Sequence, residues 1–155
     1  MPTTVTLDSV DRVLLQELQR DARISLTDLA QQAHLGVSAV RARLRRLEEI
    51  GVVSGYHADV LPVPLGFALH AVVRMKIHGA LFDQVDAVVD TEPQIIRCLR
   101  ITGESCYHLE VLARDMPDLQ RITTRLAQVG SITTDLVYEV VTARPAPMPP
   151  EEARR

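Results

Sequence analysis

The sequence predicts an α+β chain in two parts: an N-terminal helix-turn-helix domain and a C-terminal ferredoxin-like βαββαβ domain. Three observations carry this. Before Gly51 the apolar residues recur at helical spacing and are interrupted by two turns. LPVPLG, Leu61 to Gly66, then places two prolines and a glycine where neither helix nor strand persists. Beyond it, stretches of period two alternate with stretches of period 3.6.

Asp8 precedes Val10, Val13, Leu14 and Leu18, an amphipathic first helix with an acidic start that suits the helix dipole; it is expected to end near Asp21 to Arg23. Ser25 with Asp28 three residues later resembles a capping pair for a helix of roughly nine residues whose buried stripe is Leu26, Leu29, Ala30 and Ala33. His34 to Gly36 must turn the chain sharply. Gly36 or Ser38 opens a third helix, on which Val40, Leu44 and Leu47 face the core.

That third helix concentrates charge. Arg41, Arg43, Arg45 and Arg46 fall between Val37 and Leu47 with no acidic residue among them, although the 155-residue chain has a formal net charge of −3. Its outer face carries Ser38, Ala42, Arg45 and Glu49, flanked by Ala39, Arg41 and Arg46. Small side chains ringed by guanidiniums let a helix approach base edges in the major groove while arginines reach phosphates, so Ser38, Ala39, Arg41, Ala42, Arg43, Arg45 and Arg46 are the candidate contacts to double-stranded DNA.

After Gly51, VVSGYHADV reads as β-prone with a glycine break, which places the first domain at 1–60 and the linker at 61–67. Ala68 to Ile77 alternates as a half-buried strand. Leu81 to Thr91 forms a helix with Leu81, Val85, Val88 and Val89 inward. Ile95–Thr102 and Cys106–Ala113 flank GES as an antiparallel hairpin, Met116 to Gln128 is a helix carrying Leu119, Ile122 and Leu126, and Ile132 to Val141 is the last strand. The order βαββαβ over 68–142 puts both helices on one face of a four-stranded sheet. The other face is expected to carry His70, Val72, Arg74, Cys98, Arg100, His108, Glu110 and Val137, too apolar to be left wholly wet, so a second copy is expected to cover it in a homodimer. The Pro-rich, charged tail 143–155 is expected to be disordered.

Composition removes other classes. No run approaches the ~18 apolar residues of a membrane span, and MPTTVTLDSVD lacks the order of a secretory signal, so a cytoplasmic protein away from membranes is expected. Aromatic residues are 3% with no Trp, against base stacking on single strands. Cys98 and Cys106 have neither metal-type nor disulfide-framework spacing, and His70, Cys98 and His108 read better as interface residues than as zinc ligands; no metal or cofactor is expected. No Ser/His/Asp order, glycine-rich phosphate loop or close carboxylate pair marks an enzyme.

LDSVDRVLLQELQRDARISLTDLAQQA, then LGVSAVRARLRRLEEIGVVSGY, then ITGES at the hairpin, resemble the Lrp/AsnC (feast/famine) transcriptional regulators from about Leu7 to Thr142. The ordered set of Asp11, Arg23 with Ser25, Arg43, Leu47 with Glu48, Gly51, Gly55 with Tyr56, Gly66 and Gly103 carries the likeness. The resemblance implies a winged DNA-binding domain, a linker strand, and a sensing domain that dimerises and often builds tetramers or octamers. It also implies an effector, an amino acid or a related small molecule, at the hairpin loop between neighbouring dimers: Thr102, Gly103, Glu104, Ser105, Cys106 and Tyr107, completed by Thr133 and Thr134. Two departures stand out. His34, Leu35 and Gly36 occupy the place of the family's Gly-Leu-Ser, and Cys106 replaces the usual Asp before Tyr107, removing a carboxylate suited to an effector's ammonium group. Two alternatives remain open at this point: a tetrapyrrole-binding, decarboxylase-like protein of similar fold, and an amino-acid sensor acting through protein partners.

Overall fold

The computed structural model describes residues 5–77, 79, 82–143 and 145–147. The chain divides into two compact units, one running to Asp59 and taking in the described tail from Ala143, the other spanning Val60–Thr142.

The first unit is three helices: α1 (Ser9–Arg20), α2 (Leu26–Gln32) and α3 (Val37–Glu49). Asp8 caps α1 in a reciprocal capping box, accepting from the Asp11 N–H at 2.8 Å while the Asp11 carboxylate accepts from the Asp8 N–H at 3.3 Å. Ser25 caps α2 through the Asp28 N–H at 3.1 Å. Of the two starts open to α3, the structure adopts Gly36: its backbone is extended and its carbonyl accepts from Ala39 and Val40, while Ser38 lies inside the helix. The turn before it places His34 at φ 52, a left-handed conformation that histidine tolerates better than most side chains. Leu14, Leu29, Ala30, Ala33, Val40 and Leu44 close the core between the helices.

Residues 52–60 contain no strand, contrary to the β-prone reading of VVSGYHADV. Propensity alone does not make a strand; a ladder partner is required, and none pairs with this segment among the described residues. The connector contains one 3-10 turn, Val63–Leu65, ended by Gly66 at φ 90.

The second unit runs β1 (Leu69–Lys76), α4 (Phe82–Thr91), β2 (Ile95–Arg100), β3 (Tyr107–Ala113), α5 (Met116–Ala127) and β4 (Ser131–Leu136). The sheet order is β2-β3-β1-β4 with every pairing antiparallel, the ferredoxin-like arrangement expected from the element order. Ala71, Val73, Met75, Tyr107, Leu109 and Val111 turn one sheet face toward Val85 of α4 and Leu119, Ile122 and Leu126 of α5. Leu81, read as part of α4, and tail positions 144 and 148–155 lie outside the described residues; within the described tail, the Ala146 carbonyl accepts from the Gln19 side chain at 3.1 Å.

The open sheet face differs from expectation on β2. A bulge between Ile95 and Arg97 shifts the register, so Cys98 pairs with Leu109 and Arg100 with Tyr107, both helix-face residues. Cys98 and Arg100 therefore belong to the helix-covered side, and Arg97 and Leu99 face the open side with Glu110 and His108. One extra residue inverts every later side chain, and simple alternation counted from Ile95 misses it.

Candidate nucleic-acid interface and ligand site

Six of the seven candidate contacts on α3, namely Ser38, Ala39, Arg41, Ala42, Arg45 and Arg46, are exposed; Arg43 is half-buried. The helix is anchored by Val40, Leu44 and Leu47, each buried, which fixes which face turns outward. The exposed residues form one strip of small side chains with arginines on both margins.

The four arginines are not equivalent. Arg41 and Arg45 make no ion pair among the described residues. Arg43 instead bonds Asp8 at 2.6 Å and Asp11 at 2.8 Å, and Arg46 bonds Asp11 at 3.2 Å. Asp11 is buried at 1% side-chain exposure, so these arginines compensate a carboxylate that has lost its water. The Asp8 carboxyl is held below its ordinary range, chiefly by the Asp11 backbone N–H and further by Arg43. Asp8 and Asp11 are the partners that the sequence reading did not assign; the signal was there in the acidic pair at the start of the first helix, but the ion pairs span more than thirty positions. Behind the helix, the Tyr56 hydroxyl donates to Glu48 at 2.7 Å; burial and then this carboxylate push its pKa up to about 12.

The hairpin residues fall into three groups. Thr102, Gly103 and Glu104 are exposed at the tip, where Gly103 adopts φ 118, a conformation that strains other residues. Ser105 and Cys106 are half-buried; the Cys106 N–H donates to Met75 O at 2.8 Å, and its thiol approaches Ile77 O at 4.0 Å. Tyr107 is 2% exposed and lies in the core, where its hydroxyl accepts from Arg100 at 3.0 Å and its ring meets Phe82. The Arg100 guanidinium stacks over both rings, 4.4 Å from the Phe82 centroid and 5.4 Å from that of Tyr107. Sequence reasoning missed this stack because alternation without the bulge assigns Arg100 to the open face.

Thr133 and Thr134 do not act as a pair. Thr133 is opposite Arg74 on the open face and Thr134 opposite Val73 on the helix face, because successive strand residues alternate. They share the hairpin's end of the sheet, where Met75 pairs with both Tyr107 and Ile132, but β1 stands between them and the hairpin, a gap of about 10 Å at ordinary strand spacing. His70 and His108 lie on the open face and Cys98 on the other, and among the described residues no group of three or more His, Cys, Asp or Glu is placed to hold a metal ion.

Residues 7–54 match the winged helix-turn-helix DNA-binding family, and residues 70–147 match the Lrp/AsnC ligand binding domain. The chain belongs to the Lrp/AsnC family. It is 35% identical over 129 residues to the HTH-type transcriptional regulator LrpA of Mycobacterium tuberculosis, covering 83% of this chain and 86% of that one. It is 30% identical to the Bkd operon transcriptional regulator of Pseudomonas aeruginosa, over 91% of this chain and 97% of the relative. Among solved structures, a feast or famine regulatory protein of M. tuberculosis complexed with L-methionine superposes with a TM-score of 0.86 at 31% identity, over 93% of this chain and all of the other, 100%. This Lrp/AsnC protein is a DNA-binding transcriptional regulator that responds to a small-molecule effector. No helix among its described residues is long and apolar enough to cross a membrane.

Proposed function

We propose that α3 enters the major groove with Ser38, Ala39 and Ala42 nearest the base edges and Arg41 and Arg45 on phosphates, and that the effector is an amino acid received at the Thr102–Tyr107 hairpin. The observation that carries the DNA half is the exposed strip of small residues between arginine margins on a helix whose opposite face is locked by Val40, Leu44 and Leu47. The amino-acid half is supported by the L-methionine complexes of two similar proteins, the M. tuberculosis regulator and a Neisseria meningitidis transcriptional regulator 28% identical to this chain with a TM-score of 0.84. Thr102, Gly103 and Glu104 offer a hydroxyl, close backbone approach and a carboxylate at the exposed tip.

The protein acts in the cytoplasm, without enzymatic activity, as a dimer through the open sheet face. That face carries Val72, Leu99, Leu112 and Val137 among the pairs Arg74–Asp135 and Arg97–Glu110, a mixture that suits a second copy better than water. Higher assembly places a neighbouring dimer against the hairpin and completes the effector site with Thr133 or Thr134.

Selection of bound sites from random duplex DNA, with and without a pool of amino acids, tests the whole reading. A defined sequence should emerge, and its enrichment should change with the pool. Ala42→Glu, at an exposed position, should keep the fold and lose the selected site. A folded variant that still bound that site as wild type does would refute the assignment of the groove-facing strip.

A further inference from the structure

One buried carboxylate governs two of the four arginines on α3. Asp11 accepts from Arg43 through Oδ1 and from Arg46 through Oδ2, with Asp8 taking a second bond from Arg43. Arg43 and Arg46 are nevertheless surface groups, 32% and 49% exposed. Together with Asp8, Asp11, Thr6 and Ala42 they line one open cleft. Ala42 belongs to the small-residue strip, so the bonded arginines stand beside the face that meets DNA.

Two carboxylates and two guanidiniums cancel, leaving Arg41 and Arg45 as the uncompensated cations of the four. That arithmetic bears on specificity. Each arginine that neutralises a phosphate adds sequence-independent affinity by releasing counterions, with a slope in log salt of about 0.9 per contact. A regulator searching a genome is limited by the ratio of specific to non-specific binding, so a cation that attracts every duplex equally works against it. The apolar packing of Val40, Leu44 and Leu47 already fixes which face of α3 turns outward, so the ion pairs are not needed for that.

We infer that Asp11 is a specificity-determining positioning residue: it holds Arg43 and Arg46 off the phosphate backbone and so lowers affinity for DNA of arbitrary sequence. This rests on α3 being the DNA-reading helix.

The test uses the full chain and a duplex of scrambled sequence, with affinity measured across a salt series. Asp11→Asn keeps the side-chain shape and removes the charge. It should bind the scrambled duplex about tenfold tighter at low salt, with a slope steeper by about one, since Asp8 still holds Arg43. A merely structural Asp11 predicts the reverse, weaker binding at an unchanged slope, and that result would overturn the inference. Arg46→Gln and Arg45→Gln decide the matter without touching Asp11, should Asp11→Asn fail to fold. Arg45→Gln should lower the slope by about one while Arg46→Gln leaves it near wild type; equal losses would overturn the inference. A wild-type chain with no affinity for any duplex would instead remove the DNA reading of α3, and the inference with it.

Discussion

Asp11 in the first unit, and Glu92 and Asp118 in the second, are the buried carboxylates among the described residues, and arginines reach all three. The two regions use this chemistry differently. Asp11 is met by arginines from a single helix, three positions apart, both still at the surface. The Asp118 carboxylate draws donors from several segments: the Arg114 backbone and side chain before α5, Gln94 before β2, and Arg121 on α5, while its own backbone N–H donates to the Asp115 cap. Glu92 at the end of α4 is held by Arg121 and Arg125 of α5. The second network ties the segment before β2, the end of α4 and α5 to one another. A buried acid whose donors come from many segments ties those segments together, whereas Asp11 ties α1 to α3 alone and, on the inference above, sets which arginines of α3 stay uncompensated.

The sharpest way to break this comparison is to remove the Asp118 carboxylate. Asp118→Ala leaves the Arg114 N–H without its acceptor, takes from the Gln94 amide one of its two, and should cost about 3 kcal/mol of stability in denaturant unfolding. At temperatures where the variant remains folded, affinity for a scrambled duplex should not change. A loss below about 1 kcal/mol would mean that the network is ornamental in energetic terms.

Acid sharpens the same point. Asp118 is held well below the usual carboxylate range, first by the Arg114 side chain and then by the Arg114 backbone N–H, and Glu92 is lowered too, because Arg121 and Arg125 outweigh the burial that would raise it. For a depressed carboxylate the stabilisation is fully present above the unfolded value, 3.8 for Asp118, and is lost as pH falls toward the lower folded value. Thermal melts taken downward from neutral pH should therefore show wild type converging on Asp118→Asn only below about pH 4. Convergence already at pH 6 would point to other groups.

A third and smaller effect concerns the hairpin. Cys106→Asp restores the carboxylate usual before Tyr107, and calorimetry against a panel of amino acids should show binding tightened by about tenfold, the worth of one charge-assisted hydrogen bond. The Cys106 thiol lies near the Ile77 carbonyl, so part of the gain will be offset by a carboxylate turned toward that oxygen. If neither protein binds any member while DNA binding persists, the amino-acid effector is the wrong class.

The smallest effect belongs to Tyr56. Tyr56→Phe removes the bond to Glu48 and should cost under about 1 kcal/mol. Because its folded pKa is raised from 10.0 to about 12, the stabilisation is complete below pH 10 and fades as pH rises through about 12. An alkaline melt that shows no difference between wild type and variant near pH 9 would remove this bond from the account.

Local order was legible in the sequence wherever one periodicity ran uninterrupted. Val40, Leu44 and Leu47 could be placed inward, and the small-residue strip outward, because a helix rotates by a constant angle per residue. The βαββαβ order, the hairpin and the two helices on one face followed from segments that each switch cleanly between period two and 3.6. Tertiary structure decided what depends on pairing. The bulge at Ile95/Arg97 moved Cys98 and Arg100 to the helix side, since facing is inherited from the partner strand rather than from the chain's own alternation. Register likewise drew Tyr107 into the core. Most consequentially, four arginines that composition makes equal became two bonded and two uncompensated, because electrostatic pairing depends on distance in space and Asp8 and Asp11 reach Arg43 and Arg46 only once α1 packs against α3.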